Sequence, residues 1–447
     1  MTIKLRGMMI DLRPLRESAP FRRIFAARVI SLFAIGMLQV SVMVQMWDLT
    51  GSTLMVGAMT VVTGVTTFLG MIAGGVLADR IDRKRLILIG RSAASLAFAG
   101  LAANAFGAFA DGPQVWAVYV LGAIDGLIGA LSASALMAAL PTLLPRSQMV
   151  AVGALTSLSV NIGGAISPGI AGLLIAGFGV GWTYTVAAAI SVITVLILLG
   201  LPSLSPQDEV LGAPKPHGGA EAEAQTGEGA RPAGRVRSLP DFLRREPVVL
   251  AVMAVGLLTM LGYGVVSLLP ALVDERFSGN SRATGLFFAV IAAGAAIAAL
   301  TSGWMSRVRR PGRLLVVAVV LAFTGMVLFG LTPWIWLAAP LLLVFGYLDS
   351  IADVLRYSLI QHHTPGPLLG RVNGIWMAQE VSGVAIGAVV AGGFGAVWSA
   401  SQAISYYGLL LLVLMGLSAL MFLRPLLTVR GEAPESEVTL DAPAECA

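Results

Sequence analysis

The sequence predicts an all-α membrane protein with twelve transmembrane helices in two pseudo-symmetric six-helix halves. Three observations predict it. Of 447 residues, 57% are hydrophobic and 12% charged, whereas a water-soluble globule carries about a quarter charged residues. The apolar residues fall in continuous runs of spanning length, which excludes the alternating strands of a membrane β-barrel. The runs then come in two sets of six with matching internal landmarks.

The first set covers 24–47, 54–78, 86–106, 114–144, 148–176 and 180–201; the second covers 247–273, 283–306, 314–331, 334–361, 367–395 and 401–423. Each is long enough to cross a bilayer as a helix. The segment before the first run carries Lys4, Arg6, Arg13, Arg16, Arg22 and Arg23 and lacks a small-residue cleavage pattern, so it reads as an uncleaved amphipathic entry. Orientation follows from the cations. Among the 29 Lys and Arg, only Arg276 and Arg282 fall in loops of one side and Arg28 and Arg356 within helices. The others gather at the opposite side, which predicts both termini in the cytosol of a bacterial inner-membrane protein.

Residues 202–246 interrupt the pattern with a Pro-, Gly-, Ala- and Glu-rich stretch that predicts a flexible cytosolic linker. The expected division is therefore an N-terminal half, 1–201, the linker, a C-terminal half, 247–424, and a disordered cytosolic tail, 425–447. The halves repeat one another. Adding 228 carries Gly36, Gly57, Gly75 and Arg85 onto Gly264, Gly285, Gly303 and Arg313; an offset of 224 pairs Asp125 with Asp349, and 220 pairs Gly163 and Gly172 with Gly383 and Gly392. Parallel repeats of this type place a substrate site near the midplane, between the halves.

Several function classes are excluded at this stage. No basic groove is interleaved with aromatics, so nucleic acid is not an expected partner. The single cysteine, Cys446, sits in the polar tail, and the adjacent His362 and His363 point to different helix faces, so neither a metal site nor a cofactor is expected. A phosphate-binding Walker loop is missing, which disfavours ATP-driven pumping within this chain. No nucleophile and base occur together, and no sizeable extracytoplasmic domain is present, which argues against an enzyme or a receptor.

The loop after the second run reads Gly75-Val-Leu-Ala-Asp79-Arg80-Ile-Asp82-Arg83-Lys84-Arg85. Physically, Gly75 is expected to let two helices approach closely, Asp79 to sit against a helix N-terminus, and the cations to hold the loop at the inner surface. The segment resembles the G-x-x-x-D-R-x-G-R-R signature of the major facilitator superfamily, with Asp82 where the common pattern has glycine. The resemblance implies a cytosolic latch built from Gly75, Asp79, Arg80, Arg83 and Lys84; a simple positive-inside anchor is the alternative. The second-half copy, Gly303 to Arg313, lacks the acid, so any latch is asymmetric. In the fifth run, Gly163-Gly-Ala-Ile-Ser167-Pro168-Gly-Ile-Ala171-Gly172 is similar to that family's antiporter signature. Gly163, Ser167 and Gly172 offer small faces for tight packing and Pro168 a bend. Further matches at Phe25 to Ser31, Asp125-Gly126, Leu369 to Trp376 and Gln379 resemble the siderophore-export branch of the family's drug/proton antiporters. That resemblance implies an exporter working by alternating access, with an amphipathic small molecule and protons as its partners, a lipid bilayer around it, and a monomeric state.

Charges inside the spans are the remaining clue, because an ionisable side chain at mid-bilayer costs about 2.5–3.5 kcal/mol on insertion scales. Asp125 lies near the middle of the fourth run and Glu380 near the middle of the eleventh; Asp349, Asp353 and Arg356 share one face of the tenth. A carboxylate in a gated cavity can take a proton from one side and release it to the other, so Asp125, Glu380, Asp349 and Asp353 are the candidates for proton coupling. Arg356 is a charge partner that either tunes coupling or only neutralises Asp353. Arg28 is expected to snorkel to the headgroups. Gln39, Gln45, Tyr263, Phe287, Trp376 and Gln379 are candidate cavity residues. The leading expectation is proton-driven export of a siderophore; a broad drug exporter and a proton-coupled importer are the alternatives.

Overall fold

A computed structural model describes residues 13–78, 80–109, 112–143, 148–202, 242–243, 246–277, 281–301, 304–305, 308–421 and 424–429. Twelve long helical stretches run through them. We label them α1 (Ala19–Thr50), α2 (Thr53–Ala78), α3 (Arg83–Ala105), α4 (Val115–Ile124, continued by a π-turn at Asp125–Gly129 and then Ala130–Leu143), α5 (Met149–Phe178) and α6 (Val180–Leu199). The second half contributes α7 (Pro247–Tyr263, then a tight 3-10 turn, Gly264–Leu268, and Leu269–Phe277), α8 (Ser281–Thr301), α9 (Pro311–Leu331), α10 (Ile335–His363), α11 (Gly366–Val397) and α12 (Ala400–Met421). Among the described residues, 11 of these are long and apolar enough to cross a membrane; within α5 the apolar helix is the shorter Ile166–Phe178.

Local chemistry sets the helix ends. Ser18 caps α1 by accepting from the Phe21 amide at 3.2 Å, and Gly51 closes it with φ 56°, a left-handed conformation that costs glycine nothing. Asp82 caps α3 through the Lys84 amide at 2.8 Å. This explains the departure from the family pattern: where that pattern has glycine, this chain uses a carboxylate to start the helix. Pro247 and Pro311 open α7 and α9, where a missing amide hydrogen is harmless.

The internal repeat is visible in the packing. A Cβ on Gly163 would come within 2.7 Å of Leu32, and one on Gly383 within 2.6 Å of Met260. Those two contacts are the same contact under the 228 and 220 offsets. Likewise Gly36 is closed off by Ser167 and Gly264 by Gly387. The duplicated sequence thus folds as a duplicated α1–α5 and α7–α11 crossing, held by small residues because lipid supplies no hydrophobic drive between helices.

The halves meet at the end of the bundle opposite the arginine-rich loops. Gly172 of α5 lies against the backbone of Gly285 of α8, Gly57 of α2 against Ala388 of α11, and the Thr53 hydroxyl donates to the Gly392 carbonyl at 2.8 Å. At the arginine-rich end the N-terminal half instead closes on itself, with Phe21, Ile24, Ile87, Leu136 and Leu198 in one apolar cluster. Of the segment 202–246 predicted as a linker, residues 202, 242–243 and 246 fall among the described residues. Phe242 is helical and buried in the main core, where its apolar ring escapes solvent.

Candidate functional site

A cavity of about 300 Å³ lies between the halves, lined by α1, α2, α4 and α11. Gln39 and Asp125 supply polar groups on the N-terminal side together with Thr60, Thr63 and Thr67; Val381, Val384 and Ala385 form the facing apolar wall. Asp125 opens the π-turn of α4, a single-turn widening that often marks functional positions. The turn is held close to α2. A Cβ on Gly126 would meet the Thr66 hydroxyl and, at 3.0 Å, the Thr63 carbonyl, so only glycine allows α4 to bring Asp125 beside the threonines.

Charge near Asp125 comes from a residue whose place in the sequence groups it with the helix-end cations. Arg91 lies two turns inside α3, buried, where Gly90 packs on Ile128 and Ser132 of α4. It faces Asp125 electrostatically and is in turn faced by Arg28. Arg28 is half-buried, and its Nε has no hydrogen-bond partner among the described residues. The legible signal was position, since Arg91 falls eight residues beyond the helix start rather than at it.

The second-half charges form a separate network. Arg356 is fully buried and donates to Asp353 at 2.8 Å and to the Thr259 hydroxyl at 3.1 Å. Its guanidinium stacks 4.6 Å from the Trp376 ring centre, in a niche that only Gly256 leaves open. Trp376 donates to Glu380, and Gln379 donates to the Met253 carbonyl at 2.6 Å. Asp349 and Tyr263 lie within electrostatic reach of one another. The tenth-helix triad and Glu380 are brought together here, whereas Asp125 stands apart in the cavity.

The candidate cavity residues divide accordingly. Gln39 lines the cavity, but Gln45 is buried and accepts from the Tyr184 hydroxyl at 2.9 Å, bracing α1 on α6. Phe287 is fully buried edge-on to Phe329, 5.7 Å between ring centres, and serves the core of the second half. Trp376, Gln379 and Tyr263 belong to the Arg356 network rather than to the described cavity wall. Aromatic and amide residues carry no periodic signature that separates core from cavity, so sequence could not sort them.

The two motif regions also resolve into contacts. Asp79 lies outside the described residues. Gly75 faces open space; its neighbour Gly74 makes the close approach, since a Cβ at that position would come within 2.9 Å of Leu131 and Ser134 of α4. The expectation for Gly75 is corrected by one residue, because a helix turns about 100° per residue and Gly74 points inward. Arg80 is exposed; Arg83 is buried and reaches the Ala78 carbonyl at 3.4 Å. Lys84 holds the Leu201 carbonyl at 2.5 Å and Arg23 the Gly200 carbonyl, placing cations at the negative C-terminal end of α6. In the fifth helix, Gly163 and Ser167 pack on α1, Pro168 lies inside α5, and Gly172 reaches the other half. Gly74→Leu should lower the thermal unfolding midpoint of the detergent-purified protein by several degrees while Gly75→Leu leaves it unchanged; equal midpoints would contradict the assignment.

Two repeated six-helix bundles joined around one central cavity define a secondary transporter. The Major Facilitator Superfamily model matches residues 24–378, and the chain belongs to that family. It is a multi-pass membrane transporter, not an enzyme. Among its relatives is the Enterobactin exporter EntS of Escherichia coli O1:K1 / APEC, 39% identical over 418 residues, covering 93% of this chain and 95% of that one. The Enterobactin exporter EntS of Shigella boydii serotype 18 matches with the same identity and coverage, 39% over 418 residues. The nucleoside transporter NupG shares the fold at TM-score 0.67 and 13% identity, over 90% of this chain and 98% of that one. A D-xylose-proton symporter does so at TM-score 0.64 and 12% identity, over 88% and 96%.

Proposed function

We propose that this transporter exports a siderophore, of the kind its relatives' names give, across a bacterial inner membrane in exchange for protons. The observation that carries the proposal is the placement of one ionisable carboxylate, Asp125, in the wall of the cavity between the halves. A carboxylate there is costly unless it works. Ionised, it accepts a hydrogen bond from a ligand; protonated, it loses that charge, so proton and ligand compete for one group and neither is carried with the other. The resemblance along both halves to the enterobactin exporters supports the substrate and the outward direction. The loops rich in arginine would face the cytosol, with both termini. The cavity then draws its ligand from the cytosol while the halves are joined at the outer end.

The buried Arg356 network is a second place for proton exchange through Asp349, Asp353 and Glu380, because these three carboxylates outnumber the one guanidinium among them. Deleting the gene should lower native siderophore in the medium and raise it inside the cells, measured by liquid chromatography of both fractions. An unchanged distribution with altered drug tolerance would replace this reading by that of a broad drug exporter.

A further inference from the structure

We infer that Trp376 is a positioning residue for the central cavity: held by Glu380, its indole clasps α11 to α10 and so fixes the stance of the apolar cavity wall that α11 provides. The inference deepens the transport reading above and rests on it only for the cavity's use. The two helices leave their short connection at residues 364–365 toward different neighbours. α10 packs chiefly on α8 and α9, and α11 chiefly on α2 and α7. Between these two groups the indole makes three contacts. Its face covers the Arg356 guanidinium at 4.6 Å, it stands at 74° to the Tyr357 ring with 6.0 Å between centres, and its N–H donates to the Glu380 carboxylate on its own helix. Arg356 and Tyr357 both belong to α10, so one ring of α11 grips two consecutive residues of its neighbour.

The bond to Glu380 decides which way that ring stands. An N–H bound to an ionised carboxylate is held about twice as strongly as one bound to a neutral acceptor. Around the carboxylate are Asp353 on α10, with Asp349 and Arg356 beyond it, and Tyr263 on α7. A proton taken by Glu380 therefore loosens the indole, and with it the grip on Arg356 and Tyr357. The consequence reaches the cavity along α11 itself. Trp376, Glu380, Val384, Ala388 and Gly392 are successive members of one i, i+4 ridge. Val384 stands in the cavity wall, Ala388 lies against Gly57, and Gly392 accepts from Thr53. A turn of α11 about its axis moves them together, while the Gln379 bond to the Met253 carbonyl keeps the helix against α7. One helix thus joins the charges of the second half to the cavity that holds Asp125.

The test is the rate at which N-ethylmaleimide labels a single cysteine, Val384→Cys, in the full-length protein in lipid nanodiscs, with Cys446→Ser removing the one native thiol. Ile35→Cys, on the α1 side of the same cavity, is the reference. Trp376→Phe keeps a ring over Arg356 and removes the N–H. It should raise labelling at position 384 at least about fivefold and leave labelling at position 35 unchanged. Glu380→Gln, which leaves a neutral acceptor, should give a smaller rise. Adding it to Trp376→Phe should change nothing further, because both act through one bond. Glu380→Met, which removes the acceptor instead, gives the same reading should Trp376→Phe lose its cooperative thermal transition. An unchanged rate at position 384, an equal rise at position 35, or effects of the two substitutions that add would overturn the inference. No substrate or proton gradient enters the measurement, so failure of the export reading leaves the clasp standing, and failure of the clasp leaves export untouched.

Discussion

Asp125→Asn is expected to abolish pH-gradient-driven accumulation of substrate in proteoliposomes while retaining substrate-for-substrate exchange at a weakened affinity, since one acceptor oxygen becomes an N–H donor. Asparagine has the size of aspartate and can still hydrogen-bond, so the π-turn and the Gly126 contact survive. What it lacks is the ability to cycle a proton. Exchange of one substrate molecule for another needs no net proton movement, and it therefore separates coupling from folding and from recognition. Driven accumulation at the level of the unaltered protein would remove Asp125 from the coupling path. The same assay on Glu380→Gln tells whether the second network shares the task, since the Trp376 indole can still donate to the amide oxygen.

The second large effect is expected at Arg356. Arg356 is buried but the Asp353 side chain is 42% exposed, so removing the guanidinium leaves a partly exposed carboxylate uncompensated and costs less than the about 3–5 kcal/mol of a fully buried pair. Arg356→Met would do so and would also empty the niche between Gly256 and Trp376. The expected result is a sharply reduced yield of folded protein and a lower thermal midpoint. Combining Arg356→Met with Asp353→Asn should recover part of the loss because the carboxylate that Arg356 bonds directly is no longer left unpaired, while Asp349 and Glu380 stay beside it. Arg356→Lys should recover less, as a point charge cannot stack on Trp376 while also reaching Asp353 and Thr259. If Arg356→Met alone keeps the unaltered midpoint, the pair is not a structural tie.

Sequence made the helices legible because hydrocarbon thickness imposes a length that apolar runs must meet. It also exposed the duplication, since glycines kept at fixed offsets mark crossings where Leu32 and Met260 leave no room for a Cβ. The site was legible only in part. Asp125 stood out because a lone carboxylate in an apolar run is expensive. Arg91 did not, because proximity to the helix start let it pass for an anchor, and only the Gly90 crossing shows which way α3 turns. Gln45 and Phe287 went astray for a different reason: a polar amide or an aromatic ring satisfies its needs equally well against Tyr184 or Phe329 as against a ligand. One residue of rotation separated Gly75 from Gly74, and no composition rule carries that resolution.

The seam between the halves has a kinetic meaning. Gly172 against Gly285 and Gly57 against Ala388 bring main chain to main chain with almost no side chain interleaved. Interlocked leucines would have to change rotamer before such surfaces could part, and every change would add to an activation barrier. A smooth contact can slide open without that step. Its closed form is then retained chiefly by close dispersion contacts and by the bond from Thr53 to Gly392. Both seams, α5 on α8 and α2 on α11, are extended, and a single methyl group added at Gly172 or Gly57 would not fit between the two backbones, so it would force this closed end apart.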